Sequence, residues 1–210
     1  MDKIPDFRHL PFQQDDASVL ERAKIRELLE YERYCRDYGL FDEAAACYSD
    51  DAQIHVSWFN GPAKDYWEQT KRATGAGSRH KIFSTAVFLR GEKAAAEMQV
   101  MMLSPRIKIE GCELDMISYA RIIAQLVKQD GIWKIQYGDC VYERDQLLPA
   151  APGQAVPPLP ETAMQYRESY RNLCYVLSMQ GIASGQDLPG DDQPETVQEL
   201  YRKITEWILE

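Results

Sequence analysis

The feature that most constrains this 210-residue chain is a set of long apolar segments separated by tight glycine turns in its middle third. Asp130-Gly131 lies between two hydrophobic runs and is the strongest hairpin signal in the chain, because type I′ turns favour this dipeptide. Arg90-Gly91-Glu92 and Glu110-Gly111 separate the earlier runs. The pattern predicts an antiparallel meander whose strands cover about 80–89, 93–104 (with an extension through 106–110 left open), 113–128 and 132–144.

The residues before the meander have helical rather than alternating apolar spacing. Ser18 and Glu21 have the spacing of a capping box, and Gly39 is a typical residue just after a helix. They predict a long first helix that ends near residue 38. A short helix in 40–48, a strand in 52–59 and a third helix in 62–74 follow. Helices that precede a long sheet indicate the α+β class.

The chain divides into four predicted regions. Residues 1–17 are expected to form an arm, 18–148 the α+β domain and 149–165 a proline-rich connector. Residues 166–210 contain two stretches with apolar residues at helical spacing and are predicted to form a two-helix extension. Neither helix can bury its apolar stripe alone, so we expect both to pack on the domain or on a partner subunit.

Composition excludes several classes of function. The formal charge is −9, which argues against a nucleic-acid partner, and no apolar run reaches the roughly 20 residues of a membrane span. The N-terminus lacks the apolar core of a signal peptide, and the five cysteines have no CxxC spacing, so we expect a reduced, cytoplasmic protein. No dinucleotide, phosphate-loop or HExxH motif occurs, and the three histidines lack ligand spacing. We therefore expect neither a metal nor another cofactor.

Three short motifs carry a resemblance to a known family. They are Tyr34–Glu43 (Tyr-Cys-Arg-Asp-Tyr-Gly-Leu-Phe-Asp-Glu), Tyr48–Ala52 (Tyr-Ser-Asp-Asp-Ala) and Asp130–Ile135 (Asp-Gly-Ile-Trp-Lys-Ile). In their order and spacing, residues 18–146 resemble the SnoaL-like branch of the nuclear transport factor 2-like superfamily. The resemblance implies a cone-shaped curved antiparallel sheet wrapped around the long first helix, with a pocket inside. It does not choose one activity, because members include lyases, isomerases, polyketide cyclases and non-catalytic modules.

The resemblance also implies a pair of catalytic residues. In the lyases of this superfamily an Asp at the end of the first helix orients a His on the strand after the third helix, and the matching positions here are Asp37 and His80. The carboxylate fixes the tautomer of the imidazole and stabilises its protonated form, so that the His removes a proton from carbon. From the residues alone, a solvent-exposed role for both side chains remains the alternative.

Glu32 is the third candidate for the catalytic set. It lies in the middle of the apolar face of the first helix, where a carboxylate is costly unless it is paired or faces a polar cavity. Relatives place a Tyr or Lys at the corresponding position, one turn before the Asp. Two interpretations stay open: a second proton-transfer or polar group, or a salt bridge to Arg33, Arg36, Arg121 or another basic group.

Residues that alternate along the strands, together with nearby aromatic residues, are candidates for the pocket wall. If Ile54, Val56 and Trp58 face inward, His55 faces away from the pocket, towards solvent or an interface. With that alternative noted, the candidate lining residues are Tyr34, His55, Trp58, Tyr66, Trp67, Phe83, Met101, Tyr119, Tyr137 and Asp139.

Two functions remain as hypotheses. The first is a cofactor-independent enzyme that abstracts a proton from a small apolar substrate, expected to be cyclic, and so catalyses a dehydration, elimination, isomerisation or cyclisation. The second is a non-catalytic ligand-binding module, or a structural subunit resembling the β subunits of ring-hydroxylating dioxygenases. In either case we expect a homo-oligomer, a dimer with a trimer as the alternative, because an open sheet face and amphipathic helices need cover.

Overall fold

The computed structural model describes residues 5–72 and 77–210. The helices are α1 (Asp16–Tyr38), α2 (Phe41–Ala45), α3 (Ala63–Arg72), α4 (Arg171–Met179) and α5 (Pro194–Leu209). The strands are β1 (Tyr48–Val56), β2 (Phe59–Pro62), β3 (Arg79–Arg90), β4 (Lys93–Ile109), β5 (Cys112–Gln129) and β6 (Ile132–Pro149). This is the predicted α+β class, with a curved sheet and the long helix α1 packed against it.

The six strands form one unclosed sheet in the order β2-β1-β6-β5-β4-β3. The meander β3 to β6 is antiparallel throughout, as predicted, and Asp130 and Gly131 both adopt the positive φ of a type I′ turn, at 50° and 80°. The prediction of a wholly antiparallel sheet is wrong at one place, because β1 pairs with β6 in parallel. The sheet is therefore mixed.

Several predicted boundaries move by a few residues. Helix α1 begins before Ser18, because the Asp15 side chain accepts a hydrogen bond from the Ser18 amide and so caps the helix. It ends as predicted at Gly39, which has a φ of 78°. The predicted strand at 52–59 is resolved into β1 and the short β2, and helix α3 starts at residue 63. The predicted end of that helix, at residues 73–74, lies outside the described residues.

Apolar side chains pack on both faces of the sheet. The inner and outer faces belong to different cores. Inner positions such as Met98 and Val100 share a core with Ile25 and Leu29 of α1, whereas the outer positions Ala95, Ile123 and Val141 belong to a different core. This division follows from the two-residue period of a strand. The two C-terminal helices separate in the same way, because α4 packs in the inner core and α5 covers the outer face.

Polar contacts attach the C-terminal residues to the sheet. The Asp145 carboxylate of β6 accepts hydrogen bonds from the Leu173 amide at 2.7 Å and from the Asn172 side chain at 2.6 Å, so it satisfies donors at the start of α4. Further along, the Tyr142 amide donates to the Pro189 carbonyl and the Asp191 amide donates to the Tyr142 carbonyl. The extension therefore packs on the same chain.

No helix in residues 5–72 and 77–210 has both the length and the apolar character required to cross a membrane. All five cysteines fall within these residues and are free thiols.

Candidate functional site

A cavity of about 860 Å³ lies between the inner face of the sheet, the end of α1, helix α3 and the C-terminal extension. Its deeper wall is apolar, and residues of β4, β5 and the extension supply it: Val100, Met102, Met116, Ala120, Ile122, Leu173, Val176, Leu177 and Ile182. Polar and charged side chains are also present on the wall, at the end of α1 and the start of β3. A cavity of this size and composition is suited to a small apolar molecule.

Asp37 and His80 meet at the polar part of this wall. The two residues are 43 positions apart, but α1 ends where β3 begins, and His80 Nδ1 lies 2.8 Å from Asp37 Oδ1. The other carboxylate oxygen of Asp37 accepts a hydrogen bond from the His80 backbone amide. Both side chains are buried, at 9% exposure for His80 and 6% for Asp37, and both contribute to the cavity wall. The predicted pair is thus in contact beside a cavity.

Asp37 occupies a position that helix physics disfavours. It lies in the last turn of α1, where the partial negative charge of the helix C-terminus opposes a carboxylate. The hydrogen bonds from His80 and a contact with Arg36 Nη1, 3.2 Å from Asp37 Oδ1, compensate for this position. Side chains placed against a local structural preference, as Asp37 is, are found preferentially at functional sites.

The surroundings shift the pKa values of both residues. Burial lowers the pKa of His80, the nearby Arg33 and Arg36 lower it further, and the hydrogen bond to Asp37 only partly opposes them. Burial alone would raise the pKa of Asp37, but its bonds to His80 and the charge of Arg36 outweigh burial and lower it. Near neutral pH the pair is therefore a neutral imidazole and a carboxylate. Because Asp37 accepts from Nδ1–H, Nε2 of His80 carries the free lone pair.

Glu32 forms an ion pair, which is one of the two interpretations that the sequence left open. Its carboxylate binds Arg33 through both Nε and Nη2, and it also accepts from the Tyr48 hydroxyl at 3.1 Å. Glu32 is only 2% exposed and is absent from the cavity wall, whereas Arg33 and Tyr48 line it. Glu32 therefore lies behind the wall and holds Arg33 in place.

Of the ten predicted lining residues, the structure places Trp58, Tyr66 and Asp139 on the cavity wall. The prediction is wrong for two aromatic side chains that face solvent: Tyr34 is 54% exposed and stacks on Tyr38, and Phe83 is 63% exposed on the edge strand β3. It is also wrong for Trp67 of α3, which is fully buried in a separate core between this helix and its neighbours.

The remaining four residues lie on the outer face of the sheet. Met101 and Tyr119 are directly opposite each other in the β4–β5 register, on the face opposite to the lining residues Val100 and Ala120. His55 faces away from the cavity, as its alternation with Ile54 and Val56 suggested. Its Nδ1 lies 3.1 Å from Asp139 Oδ2, and the Tyr137 hydroxyl donates to the same oxygen. The Asp139 carboxylate is thus directed to the outer layer.

Two groups of wall residues were not predicted. Arg36 and Arg79 line the cavity close to His80, and Leu173, Val176, Leu177 and Ile182 bring the C-terminal extension into the site. The spacing of Arg33 and Arg36, three residues apart on α1, would have indicated a shared side of that helix. Nothing in the sequence of the extension indicates which side of the sheet α4 covers.

No group of three or more His, Cys, Asp or Glu residues within the described part of the chain has a geometry that could hold a metal ion. The side chains at the polar part of the cavity wall are a neutral imidazole, a carboxylate and three guanidinium groups, those of Arg33, Arg36 and Arg79.

Comparison with curated sequences finds full-length relatives of low identity. A PEP2-like protein of Fusarium vanettenii is 25% identical over 204 residues, which cover 92% of this chain and 88% of that protein. Pea pathogenicity protein 2 of the same fungus is 25% identical over 206 residues with the same coverage. An uncharacterised protein of Emericella nidulans is 26% identical over 209 residues, again with the same coverage.

Comparison with solved structures supports the fold. A provisionally assigned scytalone dehydratase of Novosphingobium aromaticivorans has a TM-score of 0.53 at 19% identity, covering 69% of this chain and 96% of that one. A type 2 hexachlorocyclohexane dehydrochlorinase has a TM-score of 0.53 at 17% identity, covering 67% and 95%. A Mycobacterium tuberculosis protein of unknown function has a TM-score of 0.55 at 17% identity, covering 81% and 95%.

The family model of the SnoaL-like domain matches residues 17–138. This range contains α1 except its first residue, both residues of the Asp37–His80 pair and all of the sheet except most of β6. The resemblance carried by the sequence motifs is confirmed, and the chain belongs to the SnoaL-like domain family.

Proposed function

We propose that the protein is a cofactor-independent enzyme in which His80 removes a proton from a carbon atom of a small apolar substrate. The observation that carries the proposal is the contact of His80 with Asp37 on the wall of a large, mostly apolar cavity. His80 Nε2 is the general base, and Asp37 is the positioning residue that fixes the tautomer and stabilises the imidazolium formed during the reaction.

The proposed reaction class is a dehydration, elimination, isomerisation or cyclisation, since all four begin with loss of a proton from carbon. Two proteins that share the fold are described as a dehydratase and a dehydrochlorinase, names that denote loss of water and of hydrogen chloride. The guanidinium groups of Arg33 and Arg36, on the same wall, supply positive charge that stabilises the anion left by proton removal.

Glu32 has a supporting part in this proposal. It is not a proton-transfer group, because Arg33 and Tyr48 occupy its oxygens and it does not reach the cavity wall. We assign it the role of holding Arg33 at the site.

Solvent exchange tests the proposal without knowledge of the substrate. A panel of cyclic ketones, β-hydroxy ketones and apolar keto-carboxylates is incubated with the protein in D₂O, and loss of C–H signals is followed by NMR. We expect catalysed exchange with at least one compound, and a decrease of about 10²–10⁴-fold in His80→Ala with the melting temperature retained. His55→Ala is the matched control, because His55 lies on the outer face, and it should exchange at the wild-type rate.

Full activity of His80→Ala would exclude the proposed base. No exchange with any compound, in the wild type as well, would favour the alternative of a ligand-binding module or a structural subunit.

We also propose that the chain self-associates as a homodimer in the cytoplasm, with a trimer as the alternative. The open edge strand β3, with the exposed Phe83, and the exposed Tyr34 and Tyr38 of α1 support an interface between copies. The five free thiols are in keeping with a reducing compartment.

A further inference from the structure

The ionisable groups on the cavity wall are unbalanced in sign. Arg33, Arg36, Lys71 and Arg79 are cationic, whereas Asp37 and Asp139 are the acidic residues among those that line the cavity. The Asp139 carboxylate is engaged by His55 and Tyr137 on the outer face. The chain as a whole carries a charge of −9, so a cationic wall runs against the overall charge of the protein. A cavity of this kind favours an anionic ligand.

The four cations differ in how far protein groups already satisfy them. Lys71 lies 2.6 Å from Asp42 and 3.1 Å from Glu68, and Arg79 stacks over the Tyr38 ring. In Arg33, the edge of the guanidinium formed by Nε and Nη2 is bound by the two oxygens of Glu32. These three groups therefore have partners.

In Arg36, the same edge of the guanidinium has no protein partner among the described residues. Its hydrogen bond to a side chain is the one from Nη1 to Asp37 at 3.2 Å, and Nε is buried with no partner among residues 5–72 and 77–210. No hydrogen bond from Nη2 is present within the same residues either. A charged donor left unsatisfied in a buried position costs free energy, and an oxygen of a ligand would recover it. The Nε–Nη2 edge matches the two oxygens of a carboxylate.

This unpartnered edge belongs to a residue that shares Asp37 with the proposed base. Arg36 binds the same oxygen of Asp37 that accepts from His80 Nδ1. The deeper wall, with Met102, Ala120 and Val176, is apolar. A ligand with an apolar body and one carboxylate can therefore satisfy Arg36 while its body covers the apolar wall near His80.

We propose that the cavity binds apolar monocarboxylates and that Arg36 is the residue that selects them. This inference names the substrate class of the reaction proposed above and rests on that proposal. The carboxylate binds the Nε–Nη2 edge of Arg36, and the apolar body lies against β4, β5 and α4.

Calorimetry with two isosteric probes tests the proposal. The probes are 2-naphthoate and its neutral amide, 2-naphthamide, titrated into the full chain. We expect the wild type to bind naphthoate about tenfold or more tightly than the amide, as for a hydrogen bond to a charged group. In Arg36→Gln the preference should fall to within about twofold, with the affinity for the amide unchanged. Arg26→Gln, on the same helix but away from the cavity, should keep the preference.

Three results would overturn the proposal: equal affinities of the two probes in the wild type, a preference that survives in Arg36→Gln, or no binding of naphthoate at 5 mM. Arg36→Lys provides a second variant in case the glutamine variant does not fold. It keeps the charge but lacks the two-donor edge, so its preference should be lower than that of the wild type.

The His80→Ala variant separates this proposal from the general-base proposal. It should keep the preference for naphthoate, because Arg36 and the apolar wall are unchanged. Selective binding that depends on Arg36, without any catalysed exchange, would leave a carboxylate-binding site and exclude the enzyme. Exchange that depends on His80, without a preference for naphthoate, would exclude only the carboxylate specificity.

Discussion

A chain that ends at Leu148 is expected to lose its cooperative fold. Residues 1–148 nevertheless contain every helix and strand before the connector, apart from the last residue of β6. The C-terminal extension is part of both major cores. Tyr170, Leu173 and Cys174 belong to the inner one, and α5 supplies most of the helical side of the outer one. Without these residues the apolar outer face of β4, β5 and β6 would be open to water.

The magnitude follows from the buried side chains that would be lost. Full burial of one Leu, Ile or Val side chain stabilises a protein by about 1.5–3 kcal/mol, while whole domains are stable by only about 5–15 kcal/mol. The extension buries a set of such residues that exceeds this margin: Tyr170, Leu173, Val176, Leu188, Val197, Leu200, Tyr201, Ile204 and Ile208. Removal of the extension should therefore unfold the domain.

Thermal unfolding followed by circular dichroism measures this effect. The truncated chain should show no cooperative transition. In the full-length chain, Ile204→Ala should cost about 2–5 kcal/mol, because Ile204 is fully buried. Met164→Ala, which changes a 55% exposed residue of the connector, should cost less than about 0.5 kcal/mol. A truncated chain that melts cooperatively at the wild-type temperature would contradict the structural role of the extension.

The second large effect is expected from Glu32→Ala, which should lower the free energy of unfolding by about 3–5 kcal/mol. The change leaves Arg33 without its carboxylate partner, and Arg33 is mostly buried, with 11% of its side chain exposed. The Tyr48 hydroxyl loses its acceptor as well. A charge that is buried and unpaired costs much more than the intact ion pair contributes.

A double variant distinguishes a lost ion pair from lost packing. Glu32→Leu combined with Arg33→Met removes both charges at similar volume and should recover most of the stability. Urea unfolding midpoints give the comparison. Glu199→Ala, at an exposed pair with Arg202 on α5, is the control and should leave the midpoint unchanged. A Glu32→Ala midpoint equal to that of the wild type would show that the pair contributes nothing.

The elements of the fold were predictable wherever the chain carries a local signal. Gly39 ends α1 and Asp130-Gly131 forms the last hairpin because each conformation depends on residues close in sequence. The parallel pairing of β1 with β6 had no such signal, because it joins residues about 85 positions apart, such as His55 and Asp139. Pairing between residues so far apart in sequence depends on how the whole sheet curves around α1.

The cavity wall was harder to predict than the catalytic pair. Asp37 and His80 were identified through the family motifs, and the position of Glu32 on the apolar face of α1 was evident from its neighbours, although its burial was not. The alternation of Met101 and Met102 was also evident, but it could not show which of them faces inward. Both faces of β4 carry apolar side chains, because Ala95 on the outer face packs in the core that α5 covers, so periodicity alone does not distinguish the two faces. Large aromatic residues were a poor guide as well, because Tyr34 and Phe83 face solvent and Trp67 packs in a separate core.

The proposed reaction depends on the protonation state of His80. Burial, Arg33 and Arg36 hold the pKa of His80 below its ordinary value of about 6.5. A base with a lowered pKa stays neutral to lower pH, so exchange should be constant near pH 7 and decrease only below about pH 6.5. The opposite holds for His55, because its hydrogen bond to Asp139 raises its pKa.

The most direct measurement therefore compares two titrations of the same protein. One is the pH dependence of catalysed C–H exchange, and the other is the NMR titration of the His80 ring, assigned by its absence in His80→Ala. We predict that the acidic limb of the exchange rate and the pKa of His80 coincide, both below about 6.5. An exchange rate that stays constant while His80 becomes protonated would contradict its role as the general base.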